Sequence, residues 1–320
     1  MAKVPFAHVL DALRDSSTAF PHRYLKNFSD LEPGDVKALK AAWPQVPALR
    51  KQQLVQDLEK LCTDDTLVSM DAFARAMLDD PEAQIRLYSI RMLWESNDPR
   101  LAHTLIRIMQ EDESEEVRGE AASVLGGYIY QGELEEIPVQ LLNQVEDALL
   151  AAAQQDEHRL AKRMAMEALG YSSRPEVPAI IKNAYSQHDP QWVASALFAM
   201  GRSADPEQWQ EDVLYALDHD NAVIRLAAVE AAGELSLESA RPALLAALET
   251  EDDEDVYRAI VWSLSQIGGE DVQIVLYNLA DKVQDDNLAN FIDEALENLT
   301  FTDDLERYDM LSFNPDEPEE

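Results

Sequence analysis

The sequence predicts an all-α fold, a solenoid of about seven stacked helical hairpins. Two observations carry this. First, the position held by Gly126 recurs at Trp94, Gly170, Gly201, Gly233, Ser265 and Glu297, with steps of 32, 44, 31, 32, 32 and 32 residues. Self-similarity at a period of roughly 20–50 residues marks a stack of one supersecondary unit. Second, the chain has only 10 glycines and 7% aromatic residues, which suits helices better than a β-sandwich. Its 320 residues allow two domains by length, but a solenoid lengthens simply by adding repeats.

Taken in order, residues 1–65 do not fit the repeat. They read as three helices near 4–15, 33–43 and 47–62, with Pro44 and Pro47 breaking the pattern between the last two. A solenoid needs an atypical end to cover its first apolar face, so this segment is expected to be an N-terminal cap. Lys37, Lys40, Arg50 and Lys51 could form a small basic patch there, but a solvated helix face is the better reading.

Residues 66–302 are expected to form the solenoid. Residues 205–233 show the unit. Asp205-Pro206 starts a first helix, where proline's missing N–H costs nothing. Trp209, Val213, Leu214 and Leu217 follow at helical spacing. Asp218-His219-Asp220-Asn221 makes the turn and caps a second helix, whose buried stripe is Ile224, Ala228, Val229, Ala232 and Gly233. Glycine at the last position suits close packing or a helix C-terminus. The pairs Gly126-Gly127 and Gly268-Gly269 read as helix terminators. The single 44-residue step places extra residues in 135–155, read as one long first helix.

The stretches EEVRGEAASVLGGY and NAVIRLAAVEAAGEL carry the pattern best, an acidic turn, Val-Arg or Ile-Arg, a small residue and Leu/Ala-Gly. This resembles HEAT repeats, especially the short bacterial kind grouped with phycobilisome-lyase-like repeats. The resemblance implies a right-handed α-α superhelix whose second helices line the concave face. It also implies that the motif arginine braces neighbouring turns, at Arg86, Arg118 and Arg225 and conservatively at Lys162. Val193, Tyr257 and Ala289 depart from that pattern.

Residues 303–320, DDLERYDMLSFNPDEPEE, are acidic, contain two prolines and read as a tail without structure. Leu305, Tyr308, Met310, Leu311 and Phe313 within it also resemble a docking segment.

Charge bounds the partners. The formal net charge is -36, and it is uneven: residues 1–60 hold nine Lys/Arg and seven Asp/Glu, residues 61–320 hold 17 and 55. A phosphate backbone and an anionic membrane both require the opposite sign, so neither nucleic acid nor a membrane is an expected partner. No run approaches the roughly 18 apolar residues of a membrane span, and the start shows no signal core, so a cytoplasmic chain is expected.

No chemistry announces itself. Cys62 is the single cysteine and reads as a small hydrophobe. His8, His22, His103, His158, His188 and His219 form no H-E-x-x-H and no His-Glu pair. HEAT-like deoxyhypusine hydroxylases bind two irons through such pairs, and HEAT-like DNA glycosylases use a basic cleft. Neither pattern is present. The expectation is a non-enzymatic scaffold with no cofactor and no metal, binding a protein partner that carries a basic segment. The expected contacts are Glu115, Asp218, Asp220, Asp253 and Asp255 for charge, with Tyr257 and Trp262 as anchors. The alternative is a cofactor- or chromophore-handling factor resembling HEAT-like lyases.

Overall fold

The computed structural model describes residues 4–312, with side chains as far as Thr302. Among the described residues there is no strand. The chain divides into two compact units, Met1–Leu169 and Gly170–Glu320.

In the first unit, α1 (Phe6–Arg14), α2 (Pro33–Ala42) and α3 (Ala48–Asp64) form the expected N-terminal helices. A short 3-10 turn at Trp43–Gln45 separates the last two, where the prolines fall. Three hairpins follow: α4 (Asp71–Met77) with α5 (Ala83–Arg91), α6 (Pro99–Glu111) with α7 (Glu115–Glu133), and α8 (Val139–Gln155) with α9 (Arg159–Ala168). The second unit holds four more: α10 (Val177–Tyr185) with α11 (Pro190–Arg202), α12 (Pro206–Ala216) with α13 (Ala222–Glu234), α14 (Arg241–Ala247) with α15 (Glu254–Ile267), and α16 (Glu270–Ala280) with α17 (Asp286–Ser312). The seven hairpins match the expected repeat number.

Second helices stack on second helices. In the first unit α3, α5, α7 and α9 pack in series; in the second, α11, α13, α15 and α17 do so. The N-terminal helices pack on the first hairpin. Phe28 meets Phe6 and Phe73 edge-on, each at 5.5 Å between ring centroids. Trp43 donates its indole N–H to Asp80 at 2.6 Å. Of the four residues of the possible basic patch, two are structural, since Arg50 donates to the Ala12 and Thr18 carbonyls and Lys51 is buried against the Trp43 ring, while Lys37 and Lys40 are exposed.

Helix starts follow the capping signals. Asp98, Ser114, Asp189, Asp205, Asn221 and Asp253 each accept a backbone N–H of the helix they open. The terminal glycine of the motif serves close packing. A Cβ on Gly126 would lie 3.2 Å from the Ala168 Cα, on Gly201 3.0 Å from the Ala231 Cα, and on Gly233 2.9 Å from the Ser263 Cα. Each second helix therefore seats its glycine on a small residue of the next, two positions before that repeat's own terminal residue.

Three expectations need correction. Gly126-Gly127 lies inside α7 and terminates nothing, whereas Gly268 and Gly269, at φ of 75° and 118°, do end α15. The added length at the 44-residue step is shared: α7 runs seven residues past Gly126, and α8 is 17 residues long. The physical reason is that the two arms extend together and bury one another. Finally, α17 continues through Ser312, so the first part of the segment expected to lack structure is helical. The docking reading of Leu305–Leu311 falls where only the backbone is described, and Phe313 lies outside the described residues.

Candidate functional site

The motif arginines form clips between successive turns. Arg86 donates to the Asp80 and Pro81 carbonyls of its own turn and grips Asp112 of the next with two bonds of 2.6 and 2.7 Å. Arg225 repeats this on the His219 and Asp220 carbonyls and on Glu251, at 2.7 and 2.9 Å. Arg118 donates to the Gln110 carbonyl and pairs with Asp156. These fork-to-carboxylate pairs are the strong, directional kind. The acids are nearly enclosed, with side-chain exposure of 7% at Asp112, 2% at Asp156 and 7% at Glu251. The Arg225 hydrogen bond holds the Glu251 carboxyl below its usual range; burial opposes this and the Asp253 N–H adds to it. At Asp112 burial pushes upward, but the bonds from Arg86 and the Ser114 N–H leave the carboxyl lowered.

The same acids shape their own turns. Asp80, Asp112, Asp156 and Glu251 each accept the backbone N–H two residues on, at 2.8–3.0 Å, and His219 does so through Nδ1. All stand six residues before the motif position of their repeat. Lys162 occupies the arginine position on α9. The bracing implied at Arg86, Arg118 and Arg225 is thus present, and Asp112, Asp156 and Glu251 are the partners that sequence reasoning did not single out.

A separate arrangement lies in the second unit. A groove of about 590 Å³ runs across the second helices of the second unit. Its walls carry Phe198 and Arg202 of α11, Glu230 and Glu234 of α13, Asp255, Arg258, Trp262 and Gln266 of α15, and Phe291 of α17, with Tyr171 at one end. Trp262 is 38% exposed and lies 6.3 Å from the Phe291 ring. Arg202 lies over Phe198 at 4.0 Å and over Tyr171 at 4.8 Å, and Arg258 over Phe291 at 5.4 Å while paired with Glu254. Both guanidiniums are therefore spread on aromatic faces, a favourable contact that lowers their freedom. Glu230 remains reachable by solvent, yet the surrounding helices remove enough water to raise its carboxyl above the usual range, and Glu234 one turn on adds like-charge repulsion. Such a pair is relieved by an incoming cation.

Of the expected contact residues, Trp262 and Asp255 enter this groove. Asp218 and Asp220 are exposed on the turn before α13, and Glu115 lies 3.9 Å from His158 at the start of α7. Asp253 caps α15, accepting the Asp255 and Val256 N–H groups. Tyr257 is half-buried, and burial raises its hydroxyl. Sequence reasoning missed Phe198, Glu230, Arg202 and Glu234. A signal existed: 198, 230 and 262 are successive repeats of one position, and 202, 234 and 266 of another, three before and one after the terminal residue.

Cys62 is half-buried beside a second groove of about 730 Å³ in the first unit. Burial pushes its thiol up, so it is protonated at neutral pH and is a poor nucleophile. Among the described residues no helix is long and apolar enough to cross a membrane.

A family model of HEAT repeats matches residues 70–139 and 210–297. No curated protein matches the chain. Solved structures are similar at low identity. YibA of E. coli is 17% identical over 76% of this chain and 95% of that one, with a TM-score of 0.41. Human deoxyhypusine hydroxylase, solved with glycerol, is 17% identical over 82% of this chain and 95% of that one, at 0.35. Kap95 in its complex with Nup1 is 15% identical over 92% of this chain and 41% of that one, at 0.41.

Proposed function

Because the chain is a HEAT-repeat protein, we propose that it is a non-enzymatic scaffold whose second-unit groove holds a basic or mixed segment of a protein partner. The observation that carries this reading is the groove itself, an exposed tryptophan and three further aromatic rings set beside Glu230, Glu234 and Asp255. Aromatic anchors in a partly desolvated hollow are the usual centres of binding energy. The carboxylates supply sign: they attract Lys or Arg side chains and speed the encounter, an effect that salt weakens.

The outer acids of the turns extend the attraction. Asp218, Asp220 and Asp255 are exposed and free to steer a basic chain toward the groove. Asp253 is a helix cap, so a charge reversal there would disturb α15 and confound the test.

The test is capture of partners from source-cell lysate at low and high salt, with the wild-type chain and with Glu230→Lys/Glu234→Lys. One stoichiometric basic protein is expected on the wild type at low salt. High salt should remove most of it, and the double reversal should lower its recovery by roughly tenfold or more, the loss of about 1.4 kcal/mol. Equal recovery on the double variant would overturn the groove reading. So would purification of the chain with a stoichiometric absorbing small molecule and no protein partner.

A further inference from the structure

The irregular repeat step creates a second exposed surface, in the first unit. α7 runs seven residues past Gly126, to Glu133, whereas α11, α13 and α15 stop within two residues of the equivalent position, at Arg202, Glu234 and Ile267. At a rise of 1.5 Å per residue, that carries the end of α7 about 10 Å further along its axis. α8 returns alongside it. The two arms pack closely: a Cβ on Gly132 would lie 2.6–3.0 Å from the Leu142 side chain of α8. Ile137 is buried within the connection and Pro138 opens α8. The tip is therefore a firm projection.

Its surface is apolar. Tyr130, Leu134 and Val139 are 52%, 52% and 58% exposed. Tyr130 and Leu134 stand one helical turn apart, on one face. The rim has a single sign. From Gly119 to His158 there is no lysine or arginine, and Glu133, Glu135 and Glu136 stand at the connection itself. More than half of each residue faces outward, and exposed apolar patches of this kind mark contact surfaces. A second copy of this chain is disfavoured as the occupant, because it also carries a net charge of -36.

We propose that the α7–α8 tip is a docking knob for a partner surface that presents an apolar face flanked by Lys and Arg. Leu134 and Val139 supply the burial, Tyr130 adds area, and the exposed Glu135 and Glu136 select against acidic surfaces. The knob is built from the first unit alone and does not rest on the groove reading.

The test uses three synthetic amphipathic peptides of about 18 residues, long enough to form a helix on contact. One is Leu/Lys, one Leu/Glu and one Ser/Lys. Each is titrated into the full chain while the backbone amide signals of residues 130–139 are followed. The Leu/Lys peptide should give saturable shifts there, unchanged by Glu230→Lys/Glu234→Lys. Tyr130→Ser/Leu134→Ser/Val139→Ser should weaken this binding by about tenfold or more. An unaltered melting temperature of that triple variant shows that the surface, not the fold, has changed; a lowered one directs the test to Leu134→Ser alone, with the same tenfold criterion. The knob is refuted if no saturable shift appears at 130–139, if Ser/Lys or Leu/Glu shifts these amides equally, or if the groove reversal abolishes the effect.

Discussion

Arg225→Met is expected to destabilise the second unit by about 3 kcal/mol, because it leaves Glu251 enclosed without its counter-charge. The arginine makes four bonds, two to Glu251 and two to the His219 and Asp220 carbonyls. Methionine keeps the stem's apolar contact and removes all four. A loss of that size corresponds to roughly 6–12 °C in melting temperature for a unit of this length. The double variant Arg225→Met/Glu251→Leu should recover part of the loss, since it removes the enclosed charge, while the Asp253 N–H and the His219 and Asp220 carbonyls still lose their partners. The effect has a pH signature. Glu251 has a lowered carboxyl pKa in the folded state, so its contribution is present above the unfolded value of about 4.3 and is lost as pH falls through the folded value. The gap between wild type and Arg225→Met should hold steady from about pH 6 to 8 and close below about pH 4, as acid protonates the abandoned carboxylate. Urea melts across that range measure it. A gap that does not change with pH would show that the clip acts by shape and not by charge.

Gly233→Val should be strongly damaging at the contact between α13 and α15. Its Cβ would fall 2.7 Å from Ser263 Oγ and 2.9 Å from the Ser263 Cα, and against the Gln266 side chain. Backbone cannot step aside, so α13 and α15 must separate. Ser263 is 1% exposed and donates to the Val229 carbonyl at 2.9 Å, a bond that stretches with them. Overpacking of this kind costs about 1–3 kcal/mol, and the lost buried bond adds about 1 kcal/mol. A fall of roughly 5–10 °C is expected. Gly127→Ala supplies the opposite sign. The nearest atom to a Cβ there is the Trp94 carbonyl oxygen at 3.8 Å, and the site lies inside α7. Alanine should raise stability by about 0.5–1 kcal/mol through helix propensity. If both glycines respond alike to substitution, close approach of α13 and α15 is not what selects glycine at 233.

The two arginine readings show how far sequence reaches. Arg86, Arg118 and Arg225 share a place in a 32- or 44-residue pattern, and that alone pointed to a common bracing role. Their acceptors share an equally regular place, six residues before the next motif position, but they lie among so many acids that nothing marks them. Charge excess hid the specific pairs. Asp253 shows the same ambiguity from the other side: as sequence it is one more acid on an acidic turn, and the fold uses it to cap a helix.

Trp262 was legible as an anchor because a large aromatic side chain stood out in a chain with few of them. Its companions were not. Phe198, Glu230 and Trp262 recur at one step, but the residues themselves differ in kind, and pattern recognition follows likeness of side chain more readily than register.

By itself the sequence determined the hairpin unit, its number and the capped starts of the helices, since these depend on periodicity and local hydrogen bonding. Tertiary structure alone decided which acids face inward to an arginine and which stay free, that the motif glycine serves packing between helices, and that four helices place aromatic and acidic side chains in one groove. The physical reason is that each repeat satisfies its backbone locally, whereas a side chain's environment is set by the neighbouring repeat stacked against it.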